Sequence, residues 1–547
     1  MFATATARAD KSLKDKMALI AVGGYGRGAL APGSDIDLLF LIAPETEADK
    51  RSAERATEFI LYLLWDLGLK VGHAMRTVPD CIELAREDIT IRTALLDMRR
   101  ICGDQGLADD LKRAFATSVV KDTQAEFVAA KLQEREERHE KAGASRYLVE
   151  PNVKDGKGGL RDLHTLFWLA KYVYGAEDRR DLIRVGLLSD EEWRRLERAF
   201  VFLWSVRVHA HVMTGRAEDK LSFDLQPGLA RRLGYASRGR TPAVERFMKH
   251  YFVVAKDVGD LTRIFCAVLE EDLGAAAATL TTQRRRGDNA PEDPSDPAFR
   301  LVGGRIDFAD DGASLRRDPS LALRLFQIAD AHDFDIHPNA LRAVNRSLAL
   351  MNGGFRRSAK ANGLFLKILE TARDPERVVR RLSESGVLAR FLPDFGRITG
   401  AVRYTSYHHY PVDEHCIRAV GVLAQIERGE LAEDHPVSTR LVSDRTERAA
   451  TYLAVLLHEI GLGRPIIGRG EARIAGGRIA ARIARRLGLD RQTADAVGAA
   501  VRDYAVLAET AQKRDLTDPK TVSDFANFVG GQDHLDRTLI TNRNNQH

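Results

Sequence analysis

The stretch GGYGRGALAPGSDIDLLFL, residues 23–41, sets a glycine pair ahead of two aspartates spaced by one residue within an apolar run. In an extended strand that spacing sends Asp35 and Asp37 to one face while Ile36 and Leu38 point into a core. Two carboxylates sharing a face repel, and raise each other's pKa, unless a cation sits between them. The hard ion Mg²⁺ takes such oxygen ligands together with substrate phosphates. Gly23 and Gly24 leave backbone N–H groups open to a triphosphate, with Ser34 close by in sequence. Arg27 is a further candidate phosphate contact, for which a surface salt bridge is the competing reading. An Asp-x-Asp pair alone is common on exposed strands; the glycine pair, the spacer and the flanking apolar strands together make the metal and triphosphate reading specific.

The elements that must hold these groups follow from periodicity. Residues 18–41 read as strand, glycine-rich turn and strand, and 51–67 as a helix stopped by Gly68. LKVGHAMRT (69–77) alternates like a strand, a short helix follows Pro79, and LLDMRRI (95–101) is expected to be another strand. These elements make an α/β domain over 1–110. Residues 111–280 read as helical, interrupted by the polar island VEPNVKDGKGGLRDLHTLFW (149–168), in which Lys154, Lys157 and Arg161 crowd around Gly156, Gly158 and Gly159. Such cations and backbone donors suit phosphate or an acidic protein segment, although a glycine-rich loop capping a helix from Leu160 also describes them. A proline-rich, charged linker is expected over 281–298, a helical connecting domain over 299–400 and a further helical domain over 401–547. Within the connecting domain Asp318 reads as an N-cap with Pro319 at N1.

Bulk composition limits the alternatives. A chain of 547 residues exceeds one ordinary core. Lys+Arg of 83 against Asp+Glu of 78 gives a formal charge of +5, too small and too dispersed to argue for nucleic acid or a membrane surface. Four cysteines without CxxC spacing suit neither a disulfide framework nor a zinc cluster, and fit a reducing cytoplasm. No stretch reads as a membrane span or an export signal.

GGYGRG…SDIDLL resembles the nucleotidyltransferase superfamily, in which such carboxylates hold metal ions that align a nucleoside triphosphate for in-line attack at the α-phosphorus. A third acid normally comes from a neighbouring strand; Asp97 is the choice here and Asp88 the second candidate, with a surface acid paired to Arg99 the plain alternative. NVKDGKGGLRDLH, YHHYPVDEHCIRAV (407–420) and ETAQKRDLTDPKT (509–521) then follow in an order that resembles the bifunctional uridylyltransferase/uridylyl-removing enzymes of the PII nitrogen-signalling system. The resemblance runs from about Ala18 to about Val529. It implies an α/β nucleotidyltransferase domain followed by mostly α-helical domains. It also implies transfer of UMP from UTP to a tyrosine of a PII protein, with Mg²⁺ held by Asp35, Asp37 and Asp97. Gly23, Gly24, Arg27, Ser34, Lys154, Lys157 and Arg161 are then the nucleotide-binding set.

The family's second activity resides in an HD-type helical domain, where histidines and an aspartate hold metals that activate water. His415 and His458 match two of those ligands, but the HD pair reads His458-Glu459, which displaces the carboxylate by about one C–C bond, ~1.5 Å. Glu471, Ala472 and Arg473 stand where relatives carry a further histidine, Asp503-Tyr504 where they carry a histidine pair, and the late aspartate is missing from TLITNRNNQH. Both histidines then read as ordinary core residues of a degenerate HD domain, with uridylyl removal absent or very weak. The C-terminal ACT domains of relatives are not expected here. Two further readings stand beside the first, a non-catalytic PII-binding regulator and a nucleotidyltransferase acting on another protein such as glutamine synthetase.

Overall fold

A computed structural model describes residues 1–141, 148–239, 241–272, 296–402, 410–443, 447–464 and 469–543. Most of the expected linker, 281–295, and the start of the YHHYPVDEH segment, 407–409, lie outside the described residues. The chain divides into two compact units. The first comprises Met1–Ser145, Pro151–Leu225 and Asp257–Arg284; the second comprises Arg146–Glu150, Gln226–Lys256 and Arg285–His547. The segments expected as separate domains, 1–110 and 111–280, thus both contribute to the first unit.

The first unit is built on a four-stranded sheet of order β3-β2-β1-β4, with β1 Met17–Ala21, β2 Ile36–Ile42, β3 Val71–Arg76 and β4 Arg99–Gly103. β2 runs antiparallel to β1 and parallel to β3, while β4 pairs antiparallel with the far side of β1. All five residues of β1 are buried. One apolar cluster joins Met17, Leu19, Leu38, Phe40 and Ile42 of the sheet to Ala53, Ala56, Ile60 and Leu61 of a helix.

Six helices bear on the site: α1 Gly23–Gly26, α2 Glu47–Asp66, α3 Ile89–Leu96, α4 Gln124–Lys141, α5 Leu160–Tyr174 and α6 Asp190–Thr214. α2 starts four residues earlier than its periodicity suggests because Thr46 and Asp49 form a reciprocal capping box. Gly68, at φ +74°, follows its end as expected. The strand expected over 95–101 is displaced: α3 continues to Leu96, Asp97 is its C-cap, and β4 begins only at Arg99. The apolar run Leu95-Leu96 closes a helix there, so apolarity misplaced the boundary.

In the second unit, 299–400 is not purely helical. β5 Phe299–Val302, β6 Arg305–Phe308 and β7 Asp335–Ile336 form a small sheet, with β5 and β6 joined through Gly303 and Gly304 at φ +57° and +76°. Positive φ at both central residues is what a type I′ two-residue hairpin turn demands. The helix expected after Asp318 runs from Leu321 to Ala331 as α7, with Ser320 as N-cap, and Asp318 instead accepts a hydrogen bond from the Ser320 N–H at 2.9 Å. Three further helices carry the second set of candidate residues: α8 Val412–Glu427, α9 Arg448–Leu457 and α10 Arg491–Asp503. Among the described residues no helix is long and apolar enough to cross a membrane.

Candidate active site

A cavity of about 550 Å³ opens in the first unit, lined by Gly23, Gly24, Arg27, Ser34, Asp35, Asp37, Asp97, Lys154 and Arg161, all expected from sequence. Lys157 is half-buried and does not line it. Asp37 lies in β2 opposite Gly72 of β3, and Asp35 sits just before the strand. The Asp37 carboxylate occupies a slot between two glycines. A Cβ on Gly23 would stand 2.9 Å from its Oδ2, and one on Gly72 would stand 2.7 Å from its Oδ1. Gly23 also adopts φ +58°, a conformation that side chains disfavour. Burial first, then the neighbouring charge of Asp35, pushes the Asp37 carboxyl above its usual range, with Arg27 partly offsetting them. Asp35 and Asp37 line one cavity and offer the hard oxygen donors that a divalent cation such as Mg²⁺ takes.

Asp97 is placed differently from the strand residue expected. It is buried at the C-terminus of α3, where its Oδ2 accepts from Arg27 Nη1 at 2.5 Å and Trp168 Nε1 at 2.7 Å, and its Oδ1 from Lys171 Nζ at 3.1 Å. Asp88, the second candidate, caps α3 through the Thr90 N–H and is not among the lining residues.

Several lining residues escape a reading of the sequence: Lys131, His164, Trp168, Trp204, Arg207 and Asp219. Lys131 of α4 is buried, pairs with Glu134 and lies 4.8 Å from the Trp168 ring centroid; burial pulls its pKa down. His164 is driven well below its ordinary pKa, by burial first and then by Arg27, Arg161, Arg207 and Lys154, so it is neutral at pH 7. Asp219 receives Arg207 Nε at 2.7 Å and pairs with His211 Nε2 at 2.9 Å, while Arg207 Nη2 reaches Ser34 Oγ at 3.5 Å. Burial raises the Asp219 pKa, but those partners outweigh it and the net shift is downward. His211 Nδ1 also accepts from the Gly33 N–H at 3.2 Å, which ties the loop before β2 to α6.

The glycine island has a mainly architectural explanation. Asn152 Oδ1 accepts from the N–H groups of Lys154 and Asp155 at 2.9 and 2.7 Å, closing a tight turn. A Cβ on Gly159 would stand 2.8 Å from the carbonyls of both Gly156 and Val153, so that glycine is required by close backbone approach. Asp162 anchors the island: its carboxylate takes the Gly158 N–H at 2.7 Å, Arg138 at 2.5 Å and His139 at 2.9 Å. Burial opposes its ionisation, yet His139, Arg135 and Arg138 prevail and lower its pKa to about 2.

The second unit brings His415, His458 and Glu459 together, all buried, with one donor atom from each lying within 4.8 Å of the others. His415 and His458, expected as ordinary core residues, are buried as core residues are and also share one cluster with Glu459. His415 lies on α8, and the other two follow directly after α9. His458 Nδ1 bonds the Val455 carbonyl at 2.7 Å, which fixes the ring. The Tyr504 hydroxyl, just past α10, donates to Glu459 Oε1 at 3.2 Å. Asp413 and Glu414 are engaged elsewhere, by the Gly400 N–H and Arg380.

Comparison with known proteins agrees with the sheet: residues 6–93 match the nucleotidyltransferase domain, so the fold class is an α/β nucleotidyltransferase domain followed by mostly helical segments. Residues 126–266 match the GlnD PII-uridylyltransferase model and residues 299–391 the uridylyltransferase GlnD third domain. The chain is 49% identical over 527 residues to the bifunctional uridylyltransferase/uridylyl-removing enzyme of Phenylobacterium zucineum strain HLK1, covering 96% of this chain and 55% of that protein. Residues 126–266 and 299–391 thus resemble two successive domains of the GlnD uridylyltransferases. The chain spans about half the length of the curated relative it matches.

Proposed function

We propose that this chain transfers UMP from UTP to a tyrosine hydroxyl of a PII-type signalling protein and releases pyrophosphate. The observation that carries the reading is the Asp35 and Asp37 pair facing Arg27, Lys154, Arg161 and Arg207 within one cavity. Asp35 and Asp37 would hold Mg²⁺, which when bound offsets phosphate charge and polarises the reacting phosphoryl group. The surrounding cations hold the triphosphate and the departing pyrophosphate. A new bond forms between the tyrosine oxygen and the α-phosphorus as the bond to the bridging oxygen breaks. The hydroxyl, with an ordinary pKa near ~10, must lose its proton, and Asp35 and Asp37 are the carboxylates placed to assist.

For the second site the reading is weak or absent uridylyl removal. His415, His458 and Glu459 offer one donor atom each, enough to hold one ion, and the Tyr504 hydroxyl already occupies one oxygen of Glu459. The name of the Phenylobacterium relative includes uridylyl removal, so this part distinguishes the chain from that relative. The test is incubation of the purified chain with PII, Mg²⁺ and each labelled nucleoside triphosphate in turn, followed by a chase without nucleotide. Label on PII from UTP that persists through the chase is expected. No label from any nucleotide despite PII binding would support a regulator instead, and label on glutamine synthetase alone would redirect the substrate.

A further inference from the structure

Asp97 is surrounded by donors in a way that assigns it a role. Its side chain is 1% exposed, and two cations and an indole N–H already bond its oxygens. A divalent ion at that carboxylate would have to displace Arg27 or Lys171. Topology points the same way. The strands flanking β2 are β1, MALIA, and β3, VGHAMR, neither with an acid, whereas Asp97 leads into β4 on the far side of β1. The indole that Asp97 fixes is the hub of the cationic side of the cavity. Arg27, Lys131 and Arg161 lie 5.4, 4.8 and 5.7 Å from its ring centroid. Arg27 Nε is buried and has no hydrogen-bond partner among the described residues, leaving a donor for a ligand.

Resting on the uridylyltransferase reading, we propose that Asp97 is a positioning residue that holds Arg27 and Trp168, and through Trp168 the cationic wall, against the triphosphate, and that it is not a metal ligand. Charge, not shape, is its contribution. Asparagine preserves an acceptor for the Trp168 N–H but lets Arg27 swing free.

The experiment measures UTP affinity by calorimetry and Mn²⁺ binding by loss of the free-ion EPR signal, for the full chain and for Asp97→Asn, Arg27→Met and the double variant. Each single change is expected to weaken UTP by about 10- to 100-fold, the range for a charge-assisted hydrogen bond. The double variant should be no weaker than Arg27→Met, and Mn²⁺ stoichiometry should stay that of the unaltered chain. Loss of a Mn²⁺ equivalent in Asp97→Asn, or additive effects on UTP, would overturn the proposal. If Asp97→Asn does not fold by circular dichroism, Trp168→Phe takes its place: weaker UTP with unchanged Mn²⁺ supports the proposal and unchanged UTP refutes it. An unaltered chain that binds neither Mn²⁺ nor UTP would instead remove the uridylyltransferase reading on which the proposal stands.

Discussion

Replacing Gly72 by alanine tests the placement of Asp37 without touching a charged group. The added Cβ would stand 2.7 Å from Asp37 Oδ1, where ordinary van der Waals contact begins at 3.4 Å, so the carboxylate must retreat by 0.7 Å (3.4 − 2.7). On the side of Oδ2 stands Gly23, where an added Cβ would lie 2.9 Å away. A displacement approaching 1 Å in a reacting constellation slows turnover by up to about a hundredfold, so the expected loss in kcat is about 10- to 100-fold. The strand itself should not suffer. Gly72 is exposed and is not among the positive-φ glycines, and alanine restricts the unfolded chain more than glycine does. Labelled UMP transfer to PII with Mg²⁺ titration, together with thermal denaturation, reads both effects. Full activity at unchanged Mg²⁺ dependence would refute the claim that the two glycines set the position of the metal-binding oxygen. Gly23→Ala serves as a comparison, since its positive φ adds backbone strain of about 1–2 kcal/mol and should also lower the Tm.

Asp37→Asn should reduce transfer by about a hundred- to a thousandfold, as loss of a charge-stabilising group does, while raising the Tm at pH 7. The sign follows from linkage: the folded pKa of Asp37 lies above its unfolded value, so the folded state binds the proton more tightly and stability falls as pH rises through that window. The asparagine variant removes that penalty, and a lowered Tm would contradict it. Asp162→Asn should destabilise the first unit by about 3 kcal/mol in urea titrations, because Arg138 and His139 lose a buried partner. In the unaltered chain the stability from Asp162 is present above the unfolded carboxylate pKa and is lost as pH falls towards its folded value of about 2. At the second site, His458→Ala should abolish Mn²⁺ binding there in a variant already carrying Asp37→Asn. Glu459→Asp with Tyr504→His should raise release of UMP from uridylylated PII above the unaltered chain; no gain would show that ligand identity is not what limits it.

The sheet core and the aspartate pair are legible in the sequence because they lie within a short span and combine the period of a strand with the punctuation of glycine. Gly72 carries a readable signal, since a glycine inside an alternating strand often marks close approach, but its partner lies on another strand. Arg207, His211 and Asp219 are not legible: on an amphipathic helix the first two look like a solvated face, Asp219 lies in the loop that follows it, and Arg207 meets Ser34 only across 173 residues of sequence. The island displays its cations in sequence, whereas Gly159 is fixed by carbonyl contacts that only the folded turn reveals. The apolar neighbours of Asp97 suggest a strand, yet they close a helix.

The packing of Gly33 shows how far the nucleotidyltransferase sheet depends on the helices C-terminal to it. A Cβ on Gly33 would stand 2.6 Å from the Ala217 nitrogen, and the Gly33 N–H is held by His211. A fragment cut at residue 110 would expose that loop and strip Asp97 of both Trp168 and Lys171. Domain transplants between this chain and its relatives should therefore exchange the sheet together with the helices through Leu225, since a shorter graft would carry the aspartates but forfeit the scaffold that aims them.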